Sequence, residues 1–166
     1  MGCRPEALQT PSFLEFRLHR WTGLEGGETL LLRRIGSEWS AIAFGDGQRF
    51  SCMYQRPVKP KSHWDQVWTN LLKKGLLDIP EGQLGRLIVE DGDGFDGEVT
   101  HEGKVKRFEI PHPQSQNFPA AKRILEISDL LADEFGSPVF RANYDRGLVG
   151  EYLIKNCNGV IREYAR

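Results

Sequence analysis

Apolar and polar residues alternate along much of the first sixty positions of the chain. Leu14, Phe16 and Leu18 alternate with the polar residues Glu15, Arg17 and His19. This period of two is typical of a strand with one buried face. Similar runs predict three further strands at residues 29–35, 38–44 and 50–54. Glycine-containing turns lie between the runs, so we predict that the four strands form an antiparallel meander.

Two later segments have the three- and four-residue spacing of amphipathic helices. The first covers residues 64–72. Ser62 followed by Asp65 predicts a capping box at its start, and Gly75 predicts its end. The second runs from about residue 119 to 135 and also stops at a glycine. Each segment carries its apolar residues in one stripe, so we expect both helices to pack on the sheet.

The remaining apolar runs are short. They predict strands at residues 87–89, 98–101 and 105–110, and a further pair at residues 152–154 and 160–161. Asn158-Gly159 separates the last two runs, and this dipeptide between apolar runs favours a tight hairpin. We therefore predict a hairpin at the C-terminus.

The order of the elements predicts the fold class. Strand and helix do not alternate regularly, as they do in doubly wound folds. We predict an α+β fold, with a mostly antiparallel β-sheet, two α-helices packed on one face and a C-terminal β-hairpin. The length of 166 residues suits a single domain over residues 1–166. Residues 1–11 contain two prolines and little pattern, so we expect a flexible tail there.

Charge is nearly balanced over the whole chain but not along it. The formal net charge of −1 does not favour binding to nucleic acid or to an anionic membrane. Residues 81–100, however, hold six acidic and one basic side chain. The sequence has no run of 18 apolar residues that could span a membrane. We therefore expect neither a nucleic-acid partner nor a transmembrane segment.

The acidic segment at residues 90–98 concentrates carboxylates and glycines in one place. Its candidate binding residues are Asp91, Asp93, Asp96 and Glu98. A calcium loop is one interpretation, because calcium prefers several oxygen ligands on a bendable loop. The EF-hand register fails, since Phe95 stands where an oxygen ligand is needed when Asp91 takes the first position. The alternatives are a solvated turn, which aspartate and glycine favour, and an acidic surface for a basic partner.

Motifs for catalysis and for cofactors are missing from the sequence. The four histidines have no HExxH spacing, and neither a G-x-S-x-G elbow nor a phosphate-binding loop occurs. We therefore predict no catalytic residue, no metal site and no cofactor. Cys3, Cys52 and Cys157 are odd in number and widely spaced, which predicts isolated thiols rather than a disulfide framework.

Gly2-Cys3 resembles the end of a bacterial lipoprotein signal, in which the cysteine receives the lipid. The apolar segment that precedes such a cysteine is not part of this sequence. We therefore expect a cytoplasmic location by default. An envelope anchor is the alternative, if Cys3 is a lipoprotein cysteine of a longer precursor.

Three short motifs follow one another along the chain. Ser62-His63-Trp64-Asp65 begins the first predicted helix, residues 75–80 follow its end, and Gly94-Phe95-Asp96-Gly97 precedes a predicted strand. In this order they resemble a loose group of small uncharacterised bacterial α+β domains. Those domains combine a β-meander, a helix beginning like L-S-E-E-E-W, a G-L-D-G loop and a later helix. The resemblance covers about residues 14–136. It implies the α+β fold and, because the group has no assigned activity, no catalytic residue.

These observations favour a non-enzymatic binding or accessory domain that acts through contact with a protein partner, as an immunity or inhibitor protein does. Two alternatives remain. One is a metal-assisted hydrolase that uses the carboxylates of residues 90–98. The other is a lipid-anchored envelope module. The sequence predicts no particular oligomeric state.

Overall fold

The computed structural model describes residues 12–47, 52–86 and 92–157. These residues form seven β-strands and three α-helices, which confirms the predicted α+β class but adds a helix to the two expected. The strands are β1 (Phe13–Thr22), β2 (Gly27–Ile35), β3 (Glu38–Gly47), β4 (Cys52–Pro57), β5 (Gly82–Gln83), β6 (Asp93–His101) and β7 (Lys104–Pro111). The helices are α1 (Trp64–Lys73), α2 (Pro119–Phe135) and α3 (Arg146–Cys157).

All seven strands belong to one sheet, in the order β4-β3-β2-β1-β6-β7-β5. The predicted meander is confirmed, because β1, β2, β3 and β4 pair in succession and antiparallel. Strand β6 then pairs with the other edge of β1, and β7 pairs with β6, both antiparallel. The two-residue strand β5 runs parallel to β7. Strand β1 is therefore central, where the two halves of the chain meet.

Strand alternation divides the sheet residues between two sides. In β1, Leu14, Phe16 and Leu18 are buried against the helices, while Arg17 and His19 point the other way. The same alternation in the other strands gathers one hydrophobic core between this side of the sheet and the helices. We call the first side the helix side. We call the other side the open face, since no described helix packs on it.

Aromatic residues hold α1 against the helix side. The indole of Trp64 stacks on that of Trp39 in β3, with ring centroids 5.9 Å apart, and Trp68 lies 6.4 Å from the same ring. Ser62 does not cap α1, so the predicted capping box is wrong. Its backbone N–H and its hydroxyl both donate to the carboxylate of Glu134 in α2, each at 2.8 Å. The serine therefore connects the start of α1 to α2.

The predicted C-terminal hairpin is wrong over the residues described. Residues 152–154 lie within α3, and the rest of the predicted hairpin lies outside the described residues. Val149, Leu153 and Cys157 are buried at intervals of four, so α3 packs one narrow stripe on the core. Two glycines inside the helix weaken its intrinsic helical propensity. Packing on the core therefore stabilises α3 as a helix, although its local sequence favours a helix only weakly.

None of the three described helices combines the length and the apolar character that crossing a bilayer requires. The tail predicted at residues 1–11 and the strand predicted at residues 87–89 lie outside the described residues.

Candidate functional site

The acidic segment is a strand over most of its described length, so its interpretation as a loop is wrong there. Residues 93–98 belong to β6, which pairs with β1 on one side and with β7 on the other. Alternation places Asp93 on the helix side, and Asp96 and Glu98 on the open face. Asp91 lies outside the described residues. The three described candidates therefore do not converge on one point, and each has its own surroundings.

The glycines that favoured a turn serve close packing instead. A Cβ atom at Gly97 would clash with the ring of Phe108 in β7, and one at Gly94 would clash with the indole of Trp21 in β1. Glycine inside a strand often marks such a close approach. The sequence pattern alone could not separate this use of glycine from a turn, because both require the absence of a side chain.

Asp93 is held by a buried arginine. Its Oδ2 accepts a hydrogen bond from Arg20 Nη2 at 2.7 Å and another from Gln114 Nε2 at 2.8 Å. Arg20 follows Leu18 on the helix side of β1, and its side chain is fully buried. A buried charge requires a partner of opposite charge. The predicted candidate Asp93 therefore binds Arg20 inside the protein and does not face the groove.

The guanidinium of Arg20 connects the sheet to the segment between α2 and α3. It lies 4.8 Å from the ring centroid of Phe95 and 4.6 Å from that of Tyr144, and it donates to the carbonyl oxygens of Arg141 and Ala142. Burial lowers the pKa of Arg20, and the neighbouring carboxylate of Asp93 opposes the decrease. The arrangement is a structural anchor.

A second buried ionisable residue, Glu28, is the direct cross-strand partner of Arg20. The hydroxyls of Tyr54 in β4 and Tyr152 in α3 both donate to its Oε2. Burial raises the pKa of Glu28, and these hydrogen bonds oppose the rise. The ring of Tyr54 fits because Gly45, its partner in β3, has no Cβ to clash with it. We call these cross-strand partners the buried row, whose members are Phe95, Arg20, Glu28, Gly45 and Tyr54.

Cys52 and Cys157 form a disulfide, so the prediction of isolated thiols is wrong for these two cysteines. Their Cα atoms are 5.9 Å apart, within the usual disulfide range. The bond connects β4 with the last described turn of α3 across a sequence separation of 105 residues. It fixes α3 over the carboxylate of Glu28. Sequence spacing gave no sign of it because the pairing depends on where α3 packs.

A cavity of about 660 Å³ lies on the open face. Its floor is a series of direct cross-strand partners that runs from β7 to β3. A smaller adjoining cavity shares three of these residues and extends the groove towards Met53 in β4. We call the floor residues the open row, whose members are Glu109, Asp96, His19, Thr29 and Phe44.

His19 lies at the centre of the open row. Its Nδ1 is in hydrogen-bond contact with Thr29 Oγ1 at 2.9 Å, and its ring stacks on Trp21 with the centroids 6.2 Å apart. Burial lowers the pKa of His19, and the nearby carboxylates of Asp96 and Asp46 oppose the decrease. The protein therefore favours the neutral imidazole, which both donates and accepts hydrogen bonds.

The two predicted candidates on the open face differ in how their charges are compensated. Glu98 accepts a hydrogen bond from Arg17 at 3.4 Å and another from Arg107. Asp96 has no cationic side chain within 4.0 Å among the described residues. It is solvent-accessible, yet the groove partly desolvates it and raises its pKa, an increase that His19 and Arg17 oppose. Of the predicted candidates, Asp96 is therefore the one that lies in the groove and forms no ion pair with a described residue.

One pair of side chains in the groove has the arrangement of a nucleophile and its base. Thr29 and His19 share a hydrogen bond, as a nucleophile and its base do. A hydrolytic centre also needs hydrogen-bond donors placed to bind an oxyanion. The strands beneath this pair, β1 and β2, are paired on both edges, so their backbone N–H groups bond to neighbouring strands. No three His, Cys, Asp or Glu side chains of the described residues are grouped so that they could hold a metal ion.

Sequence reasoning missed the residues that matter most on both sides of β1. Arg20 and Glu28 continue the alternation of the apolar positions Leu18 and Leu30, so an uninterrupted count by twos would have marked them as buried charges. His19 has the opposite parity and could have been assigned to the other side by the same count. No local signal indicates that Asp96 and Thr29 flank it, because both come from other strands.

Comparisons of the chain with protein-family models, with curated proteins and with solved structures gave no match. The fold and the groove define the chain as an α+β domain whose mostly antiparallel sheet has helices on one side and an open face on the other.

Proposed function

We propose that this chain is a non-enzymatic protein-binding domain that contacts its partner through the open face of the sheet. The observation that carries the proposal is the location of exposed apolar side chains. Every strand residue among the exposed large hydrophobic residues lies on the open face. They are Phe13 (43% exposed), Ile35 (50%), Met53 (75%) and Val105 (49%).

Phe13 and Ile35 are direct cross-strand partners, so their exposed side chains are neighbours. Contiguous exposed apolar side chains mark interaction surfaces more often than singly scattered ones do. The open face also holds the groove, so it offers shape and hydrogen-bonding groups together with apolar area. The helix side offers no comparable surface, because its apolar strand residues are buried in the core or packed against it. A compact domain with a single uncovered sheet face suits an immunity- or inhibitor-like role, in which the partner is another protein.

The metal-assisted hydrolase is less well supported. Asp93 and Asp96 point to opposite sides of the sheet, and Asp93 is bound to Arg20. The carboxylates that the hypothesis needs in one site are therefore separated by the strand that carries them.

Photo-crosslinking tests the proposal. A benzophenone amino acid at Met53 places the reactive group on the open face, and one at Leu148, which is 58% exposed on α3, is the matched control. In an extract of the source cells, we expect a discrete crosslinked protein from position 53 that position 148 does not give. Crosslinks of the same proteins from both positions would contradict binding through the open face.

The disulfide supports a second proposal, on location. Disulfides persist in oxidising compartments and are uncommon in the cytosol, so we propose that the domain works in the cell envelope or outside the cell. This agrees with the envelope module suggested by Gly2-Cys3. Alkylation of the protein inside intact cells, followed by mass spectrometry, tests it. We expect unmodified Cys52 and Cys157 joined in one peptide pair, whereas alkylated cysteines at both positions would contradict the proposal.

A further inference from the structure

Two acidic side chains of the open face pair with arginines, and two in the floor of the main cavity do not. Glu15 pairs with Arg33 at 2.7 Å, and Glu98 pairs with two arginines. By contrast, neither Asp96 nor Glu109 has a described cationic side chain within 4.0 Å. Both carboxylates lie in the floor of the same cavity, which Arg17 and Arg107 also line. Those two arginines pair with Glu98, so neither forms an ion pair with Asp96 or Glu109.

Asp96 and Glu109 are direct cross-strand partners on β6 and β7. Like charges in this position repel each other and destabilise a sheet. A positive group placed between the two carboxylates replaces that repulsion with charge-assisted hydrogen bonds, which are stronger than neutral ones. The groove is thus complementary in charge to a cation that comes from outside the described residues.

The groove also has an apolar end. Phe44 lines both the main cavity and the adjoining one, and an aromatic ring attracts a nearby cation through its face. Met53 extends this end at the edge of the sheet. Five strand-to-strand steps of about 4.8 Å each separate Met53 from Glu109. A ligand that contacts both ends is therefore larger than a metal ion or a single amine.

We infer that the groove receives an arginine or lysine side chain of a protein partner, with its cation between Asp96 and Glu109 and with neighbouring apolar residues of the partner against Phe44 and Met53. This inference rests on the proposed function, because it names the chemistry that the partner presents to the open face. It extends the proposal from an apolar surface to a specific charged contact.

A fragment titration tests the charged contact directly. The probe is N-acetyl-arginine methylamide, and the control probe is the citrulline analogue, which has the same shape but no charge. Backbone amide shifts of the isotope-labelled full chain report weak binding and its position. We expect saturable shifts centred on His19, Asp96 and Glu109, with the citrulline analogue binding at least about tenfold more weakly, since hydrogen bonds between charged groups exceed neutral ones by that much.

Two variants make the test specific. Asp96→Asn together with Glu109→Gln removes both charges while it keeps the size of the side chains. Glu151→Gln is the matched control, because Glu151 is exposed on α3. We expect the double variant to lose the preference for arginine over citrulline and the control variant to keep it. Thermal unfolding of all three proteins verifies that each is folded.

Several results would overturn the inference. These are equal shifts with both probes, shifts away from the groove, or an unchanged preference in the double variant. Equal binding of spermidine and of the arginine probe, together with no effect of Phe44→Leu, would indicate a site for bare polyamines instead. Dimerisation in sedimentation experiments that Met53→Glu abolishes would indicate a second copy of the chain as the occupant.

Failure of this inference is distinguishable from failure of the proposed function. A crosslinked partner at Met53 that the double variant still binds with unchanged affinity would leave the open face as the binding surface and reject only the charged contact. Loss of both the position-specific crosslink and the arginine preference would reject the two proposals together.

Discussion

The buried row and the open row lie one residue apart along β6, β1, β2 and β3, on opposite sides of the sheet. They differ in how the charges of their side chains are compensated. In β6, Asp93 points into the protein, where it binds Arg20 of the buried row at 2.7 Å. Asp96 points into the groove, where no described cationic side chain lies within 4.0 Å of it. The buried row satisfies its charges with partners from the helix side. In the open row, Asp96 and Glu109 have no described cationic side chain within 4.0 Å. The contrast separates carboxylates that hold the fold from carboxylates that are free of ion pairs with described residues.

The largest expected effect comes from breaking the buried ion pair. Asp93→Ala leaves the fully buried guanidinium of Arg20 without its carboxylate. Removing one member of a buried ion pair typically costs about 3–5 kcal/mol. We expect a decrease of this size in the free energy of unfolding, measured by urea denaturation. Asp96→Ala is the control in the same strand, and similar losses from both variants would contradict the contrast between the rows.

The disulfide is expected to have the next largest effect. Removing a native disulfide costs about 2–5 kcal/mol, because the unfolded chain gains conformational freedom. The double variant Cys52→Ser with Cys157→Ser should therefore unfold at lower denaturant concentration than the wild type. Dithiothreitol should lower the stability of the wild type in the same way and leave the double variant unchanged. Insensitivity of the wild type to the reductant would show that the bond does not hold α3 in place.

His19 is expected to give the open row a dependence on pH. Burial lowers the pKa of His19 in the folded protein below its ordinary value of 6.5, so the unfolded chain binds the proton more readily. The stability that the neutral imidazole contributes is complete above pH 6.5, and it is lost as the pH falls from 6.5 through the folded pKa. Melting temperatures at about pH 7.5 and 5.5 test this. His19→Gln does not titrate, so the difference between the two pH values should be smaller in that variant.

The smallest effect is expected at Asp96, and it has the opposite sign to that at Asp93. Asp96→Asn removes the like-charge contact with Glu109, and cross-strand charge pairs are worth roughly 0.2–1 kcal/mol. We expect the variant to be as stable as the wild type or slightly more stable in urea denaturation. A loss larger than about 1 kcal/mol would mean that Asp96 has a structural role and that the open row resembles the buried row.

The difference between the rows also explains which predictions failed. Phe16 and Leu18 were assigned to the core from their alternation, and the structure confirms them as buried. The same alternation continues through Arg20, but its charged side chain interrupts the apolar pattern, so a count of apolar positions stops at Leu18, two residues too early. The composition of residues 93–97 favours a turn, which is why the sequence predicts a loop before the strand that starts at Glu98. The strand conformation of residues 93–97 depends on β1 and β7, which provide hydrogen bonds and bulky rings beside the glycines.

Local patterns in the sequence determined the class of the fold. Period-two alternation and helical spacing depend on neighbours within a few residues, so they identified the meander, α1 and α2. The candidate residue Asp96 was also found in this way, from the concentration of acidic residues. The tertiary structure alone decided which distant strands are adjacent, that α3 is a helix fixed by the disulfide, and that His19 lies beside Asp96. These features depend on contacts between residues far apart in the chain, for which a short window of sequence carries no energetic signal.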